Sequence, residues 1–289
     1  MELKKPIFII GSGRSGSTVF HEILSEHPDF YWLSNLSSIF PRFPVINKTL
    51  MMSIDLPIIN HVIKRVIKPS ESWNFWECYS KSFVDPIRDI VSSDVTIKEK
   101  REIKNALFQL STKRRNRFLG KIVGWPRVGF IQEILNDAKF IHIIRDGRAV
   151  VNSIINVDWW QGWRGPSNWQ RPDLTPAQKE EWQKYNESFI ALAAIEWKIL
   201  MDAHEKAKEK INNNNFLEIR YENLCADPVD TLKKTIEFCE LDWSNKINKK
   251  LKKVRLNSAN NKYKNDLTKD QIEMLENVLH LYLIKYGYE

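Results

Sequence analysis

The sequence predicts an α/β fold, a mostly parallel β-sheet flanked by helices, on three observations. Short continuous apolar runs, the mark of strands buried on both faces, occur at residues 7–10, 121–124, 140–144 and 216–219, with a weaker one at 30–33. Stretches of helical periodicity separate them, the alternation that crossover helices on a parallel sheet produce. Two runs end in Gly-, Ser- and Arg-rich segments, at residues 11–18 and 145–148, and ligands of open parallel sheets sit at the carboxyl ends of strands.

In chain order, the run at 7–10 breaks into Gly11-Ser12-Gly13-Arg14-Ser15-Gly16-Ser17-Thr18, where a helix opens and continues to Glu26. His27-Pro28 stops it, because the residue before proline avoids helical dihedrals. Residues 32–93 hold several prolines and the aromatic stretch Trp73-Asn74-Phe75-Trp76-Glu77, and read as irregular helices. Thr175-Pro176 places a cap before a proline at the first helical position, and the pattern runs on to Lys210 as one helix. A polar turn at 212–215 precedes the fourth strong strand, and Thr268 begins a last amphipathic helix through Leu275, Leu279 and Leu283. Nothing repeats, so residues 1–289 read as one domain.

Composition narrows the partners without choosing among them. Hydrophobic residues make up 43% and charged residues 28%, as in a globular chain. The net charge of +8 admits an anionic small molecule, nucleic acid, a sulfated polymer or an acidic membrane surface, but no nucleic-acid motif is visible. The basic clusters at 113–117 and 246–255 read as solvated helix faces. Cys78, Cys225 and Cys239 lack paired spacing, which suggests buried thiols with neither disulfides nor a zinc site. Only Met1 to Lys5 precede the first strand and no apolar run reaches membrane-span length, so a cytoplasmic protein without a membrane span is expected.

The Gly11–Thr18 segment has the layout of a phosphate cradle. Glycines let the chain turn tightly at a strand end, and the amides of Ser15, Gly16, Ser17 and Thr18 point inward from a helix N-terminus. It differs from the nucleotide loop Gly-x-x-x-x-Gly-Lys-Ser/Thr in lacking the lysine; its cation is Arg14, inside the loop. A metal-free anion fits this better than a magnesium nucleotide, although a ligand-free turn and a small-molecule kinase remain alternative readings. The second constellation, Arg145-Asp146-Gly147-Arg148, again passes from strand to helix. Ser153 follows Arg145 by eight residues, a little over two turns, so both can face one phosphate. The alternative there is a helix-start ion pair with Arg148 in solvent.

Two anion loops at neighbouring strand ends imply a ligand with two separated anionic groups. On these residues the chain resembles sulfotransferases that use 3′-phosphoadenosine 5′-phosphosulfate (PAPS), which carry Arg/Lys-Ser-Gly-Thr-Thr and Arg-Asp-x-Arg-x-x-x-x-Ser stretches. The matching residues are Arg14-Ser15-Gly16-Ser17-Thr18 and Arg145 through Ser153. Glu26-His27-Pro28, residues 137–141, Arg220-Tyr221-Glu222-Asn223-Leu224 and Tyr286-Gly287-Tyr288 extend the similarity along the chain. The resemblance implies a P-loop-NTPase-like sulfotransferase fold, PAPS as co-substrate with PAP as its product, and no metal. It implies that Ser15 to Thr18 hold the 5′-phosphosulfate, that Arg14 sits nearest the transferred group, and that Arg145 and Ser153 hold the 3′-phosphate. Tyr221 would contact the nucleotide and Lys262 would reach it from the C-terminal loop.

The base departs from that pattern. Many relatives have Lys-Thr-His on the strand before the second loop, and this chain has Lys121-Ile122-Val123. Lys121 can assist the leaving group, but another group must take the acceptor proton, and the resemblance to carbohydrate and tyrosyl-protein sulfotransferases implies a glutamate. Glu71 and Glu77, in an aromatic setting, are the candidates, with Asp158 third. Trp159, Trp160, Trp163 and Trp169 follow the second loop, where a lid over a saccharide, lipid-linked glycan, phenol or other small acceptor belongs. A non-catalytic polyanion-binding protein is the further alternative.

Overall fold

The structure is a computed structural model and describes residues 3–56, 60–85 and 87–289. Its five strands are β1 (Ile7–Gly11), β2 (Phe30–Tyr31), β3 (Arg117–Val123), β4 (Lys139–Ile144) and β5 (Phe216–Arg220). They form one parallel sheet in the order β2-β3-β1-β4-β5. β1 is central and entirely buried, which is why its sequence is an unbroken apolar run. Its side chains alternate between two cores. Phe8 and Ile10 join Phe118 and Phe140 on one face, while Ile7 and Ile9 join Leu119, Ile141 and Ile143 on the other. A third core packs the helices Gly147–Ile154, Phe189–Lys208 and Lys269–Lys285 together.

From β1 the chain runs to the edge strand β2, returns to β3 beside β1 and then crosses to β4 on the other side, so the crevice at the carboxyl ends of β1 and β4 is the topological switch point. Both Arg-bearing loops open there.

Four expectations need correction. β3 starts four residues before the apolar run, at Arg117, whose guanidinium donates to the Lys5 and Cys239 carbonyls and so pairs a polar residue into a strand end. The helix expected from Pro176 to Lys210 is two, Pro176–Lys184 and Phe189–Lys208. Asn186 and Glu187 take left-handed dihedrals (φ 52° and 55°), and Ser188 caps the second helix by accepting from the Ile190 amide. The cluster at 113–117 is not a solvated face, because Arg115 is buried. It pairs bidentately with Asp55 at 2.9 and 3.0 Å and donates to the Phe30 carbonyl. Of the three thiols only Cys239 is fully buried.

Candidate active site

The two loops at the switch point are tied to each other. Arg14 lies in the left-handed region (φ 66°) and donates from Nε to Ser153 Oγ at 2.8 Å. Arg145 donates to the Arg14 carbonyl at 2.9 Å and, through Nε, to Asn260 Oδ1 at 3.0 Å. The hydroxyl of Ser15 is buried with no partner among the described residues, a polar group left available to an anion in the loop. Gly16 caps the helix Ser17–Leu24 at φ 89°, and a Cβ there would stand 2.2 Å from the Tyr221 ring. Tyr221 therefore packs under the loop, with Arg145 stacked 4.8 Å from its ring centre; burial pushes its hydroxyl up to about 12.

A carboxylate behind this pair holds the second loop. Glu222 accepts from the Asp146 amide at 3.1 Å, from the Asn260 amide group and from the Tyr288 hydroxyl at 3.0 Å. Arg148 is not in solvent. It pairs with Asp146 at 2.9 Å, with Glu276 at 3.2 Å, and donates to the Tyr288 carbonyl. The C-terminal loop thus reaches the site through Asn260. Lys262, expected to reach the nucleotide from this loop, is exposed and faces Asp266 at 3.5 Å.

The Gly-rich loop opens on a cavity of about 530 Å³ lined by Ser12, Gly13, Arg14, Ser17 and Thr18 on one side and by aromatic residues on the other. Lys121, on β3, joins two residues of that lining. Its ammonium donates to Thr18 Oγ1 at 2.8 Å and pairs with Glu71 Oε1 at 2.9 Å. Glu71 lines the cavity, whereas Glu77 is exposed on the helix Trp73–Tyr79 and Asp158 is exposed, and neither lines it. Beside Lys121, the buried His21 ring is held down to about 3, first by burial and then by the neighbouring ammonium.

The tryptophan-rich segment divides. Trp159 lines the cavity, Trp163 is exposed, and Trp160 and Trp169 are core residues, since the pattern of four tryptophans does not show which side faces inward. Trp73, Trp125 and Trp197 complete the aromatic wall. Three charged residues that no motif marked, Arg127, Arg171 and Glu196, also reach it. Arg127, held by the Phe83 and Trp125 carbonyls at 2.7 and 2.9 Å, is lowered to about 10 by burial. Arg171 pairs at 2.8 Å with buried Glu196, which also accepts from Trp160 Nε1 at 2.7 Å; burial raises the Glu196 carboxyl. The sequence carried a signal for Asn260 only in its nearness to Lys262, and none for Arg127, Arg171 or Glu196.

A model of the sulfotransferase family matches residues 6–245. Protein-tyrosine sulfotransferase A of Caenorhabditis elegans is 28% identical over 118 residues, which are 41% of this chain and only 26% of that protein. Among solved structures, sulfotransferase STF9 from Mycobacterium avium matches 99% of this chain and 77% of its own at a TM-score of 0.57 and 16% identity. Sulfotransferase STF1 from Mycobacterium tuberculosis H37Rv matches 96% and 76% at a TM-score of 0.51 and 14% identity. The likeness at these identities is one of fold.

Proposed function

The chain belongs to the sulfotransferase family, and from that premise we propose that it moves a sulfuryl group from PAPS to a hydroxyl of a carbohydrate, phenol or other small acceptor. It acts as one domain, in the cytoplasm and without a metal. The observation that carries the reading is the joining of Arg14, Ser153 and Arg145 at the mouth of a cavity that also holds Glu71.

The residues fit the co-substrate. The unpartnered Ser15 hydroxyl, the loop amides and the hydroxyls of Ser17 and Thr18 suit a phosphosulfate at a helix N-terminus. Arg145 and Ser153 suit the 3′-phosphate, with Tyr221 packed beside them. When bound, PAPS supplies the sulfuryl group and leaves as PAP. Arg14 and Lys121 bring positive charge to the side where negative charge develops on the leaving oxygen, a contribution on the order of 100-fold in rate for each such donor. Glu71 takes the proton of the acceptor hydroxyl, and its bond to Lys121 aims the carboxylate at the loop. The aromatic wall excludes water and offers flat faces to a ring.

The test is calorimetric titration with PAP in the absence of magnesium, beside ATP with magnesium. Tight PAP binding that is lost in Arg145→Ala is the expected result. Binding of magnesium-ATP without binding of PAP overturns the proposal in favour of a kinase.

A further inference from the structure

Away from the cleft, the helices Asn35–Ile39, Pro44–Ile54 and Asn60–Val66 pack on one another and form an excursion whose two ends are fastened together. The Asn35 amide donates to the Lys68 carbonyl at 3.1 Å, the Ser70 amide to the Leu33 carbonyl at 2.9 Å, and Ser72 Oγ to the Ser34 carbonyl at 2.8 Å. The inner side of this excursion is an ordinary helix face. Pro44, Asn47, Met51 and Ile54 of its longest helix are buried at helical spacing.

Its outer side is not ordinary. Ile39, Phe40, Phe43, Val45, Ile46, Met52, Leu56 and Val66 are large apolar side chains left exposed, Phe43 by 63% and Met52 by 55%. Val45 and Met52 lie seven residues apart on one stripe of the helix Pro44–Ile54, and Leu56 continues it. Single exposed apolar residues are common, but eight on three helices and the turns that flank them, the middle helix packed on both others, mark a surface that meets something.

The charge on the same surface says what. Between Asn35 and Ser70 the sequence has one acidic residue, Asp55, and that carboxylate is already taken by Arg115, with Arg114 at 3.9 Å and Lys246 at 3.8 Å around it. Among the described residues, Arg42, Lys48, Arg65 and Lys68 have no carboxylate within ion-pair distance, whereas Lys64 pairs with Glu26. The two basic clusters of the sequence, at 113–117 and 246–255, therefore converge on the edge of this excursion through Asp55.

We propose that the outer face of residues 39–56 and 63–68 docks on an anionic lipid bilayer. Apolar side chains interleaved with cations, and no free acid, are the chemistry of an interfacial element that sinks its apolar groups to the acyl boundary while its cations meet lipid phosphates. A second copy of the chain fits poorly, because a two-fold contact sets the same unpaired cations against each other. A nucleic acid uses the cations but leaves Val45, Met52, Leu56 and Val66 without partners.

The full chain is floated with phosphatidylcholine vesicles and with vesicles in which about one-third of the lipid is phosphatidylglycerol. Expected is partition onto the anionic vesicles only, weakened by salt, by about fivefold for each of Arg42→Glu and Arg65→Glu. The Phe43→Ser/Met52→Ser double variant loses on the order of tenfold or more. Both variant sets change exposed side chains, and unchanged PAP affinity and thermal midpoint confirm that they are folded. No partition onto anionic vesicles overturns the proposal, and so does partition equal to wild type in the Phe43/Met52 variant. A dimer in sedimentation that this variant dissolves, or salt-sensitive RNA binding without vesicle binding, overturns it in favour of a second copy or of nucleic acid.

Discussion

At the carboxyl end of β1, Arg14 meets Ser153 at 2.8 Å and Arg145 holds the Arg14 carbonyl; the two arginines lie within three positions of a strand end and Ser153 on the helix that follows β4. Across the cavity, Arg127 is held by carbonyls from residues 83 and 125, and Arg171 by a carboxylate 25 residues later. The first pair of loops leaves the buried Ser15 hydroxyl without a partner among the described residues. The cations of the second region are largely committed to protein groups. On this reading the donor end selects by charge, and the acceptor end by shape and aromatic contact.

The largest effect separates the two ends at their meeting point. Glu71→Gln is expected to lower kcat by about 100- to 10,000-fold, as loss of a general base does, with PAP affinity within about twofold of wild type. A matching loss of PAP affinity in calorimetry assigns Glu71 to the donor end instead.

Next, Gly16→Ala tests the loop itself. Its φ of 89° disfavours a side chain, and the added Cβ meets the Tyr221 ring at 2.2 Å. PAP affinity is expected to fall by roughly 100-fold, about 3 kcal/mol. Wild-type affinity there refutes the packing of Tyr221 under the loop.

Glu196→Gln tests the acceptor end. It removes the charge that faces Arg171 and is expected to cost about 2 kcal/mol in denaturant unfolding while PAP binding stays intact. Weakened PAP binding shows that the two ends are coupled.

The smallest effect, taken over a single pH unit, is a pH dependence. His21 is held to about 3 in the folded chain against 6.5 when unfolded, so between those values the unfolded state binds more protons. Stability therefore falls as pH drops from 6.5 toward 3, by on the order of 1 kcal/mol per pH unit, and buried His204 acts in the same direction. His21→Leu should flatten the dependence of thermal midpoint on pH; an unchanged slope removes His21 as its source.

What could be read from the sequence was local. A strand buried on both faces must be an apolar run, and a chain that turns around an anion at a helix N-terminus needs glycine and hydroxyl residues within a few positions. Those constraints placed the strands near residues 7–11, 139–144 and 216–220 and the two Arg-bearing loops at the ends of β1 and β4, while Lys121 was marked by resemblance and not by any spacing. The proline and capping signals at Thr175 and Thr268 likewise placed the starts of two helices.

The tertiary structure decided the rest, because convergence of distant side chains leaves no period in the chain. Glu71 and Glu77 share one aromatic stretch, and only packing shows that the first faces Lys121 and the second faces water. Asn260 meets Arg145 while Lys262 faces Asp266, and Trp160 enters the core while its neighbour Trp159 lines the cavity, since nearby residues point different ways and local sequence does not say which way is in. Arg115, set in a run of cations that suggests solvent, is buried because Asp55, 60 residues earlier, is brought to it by the fold.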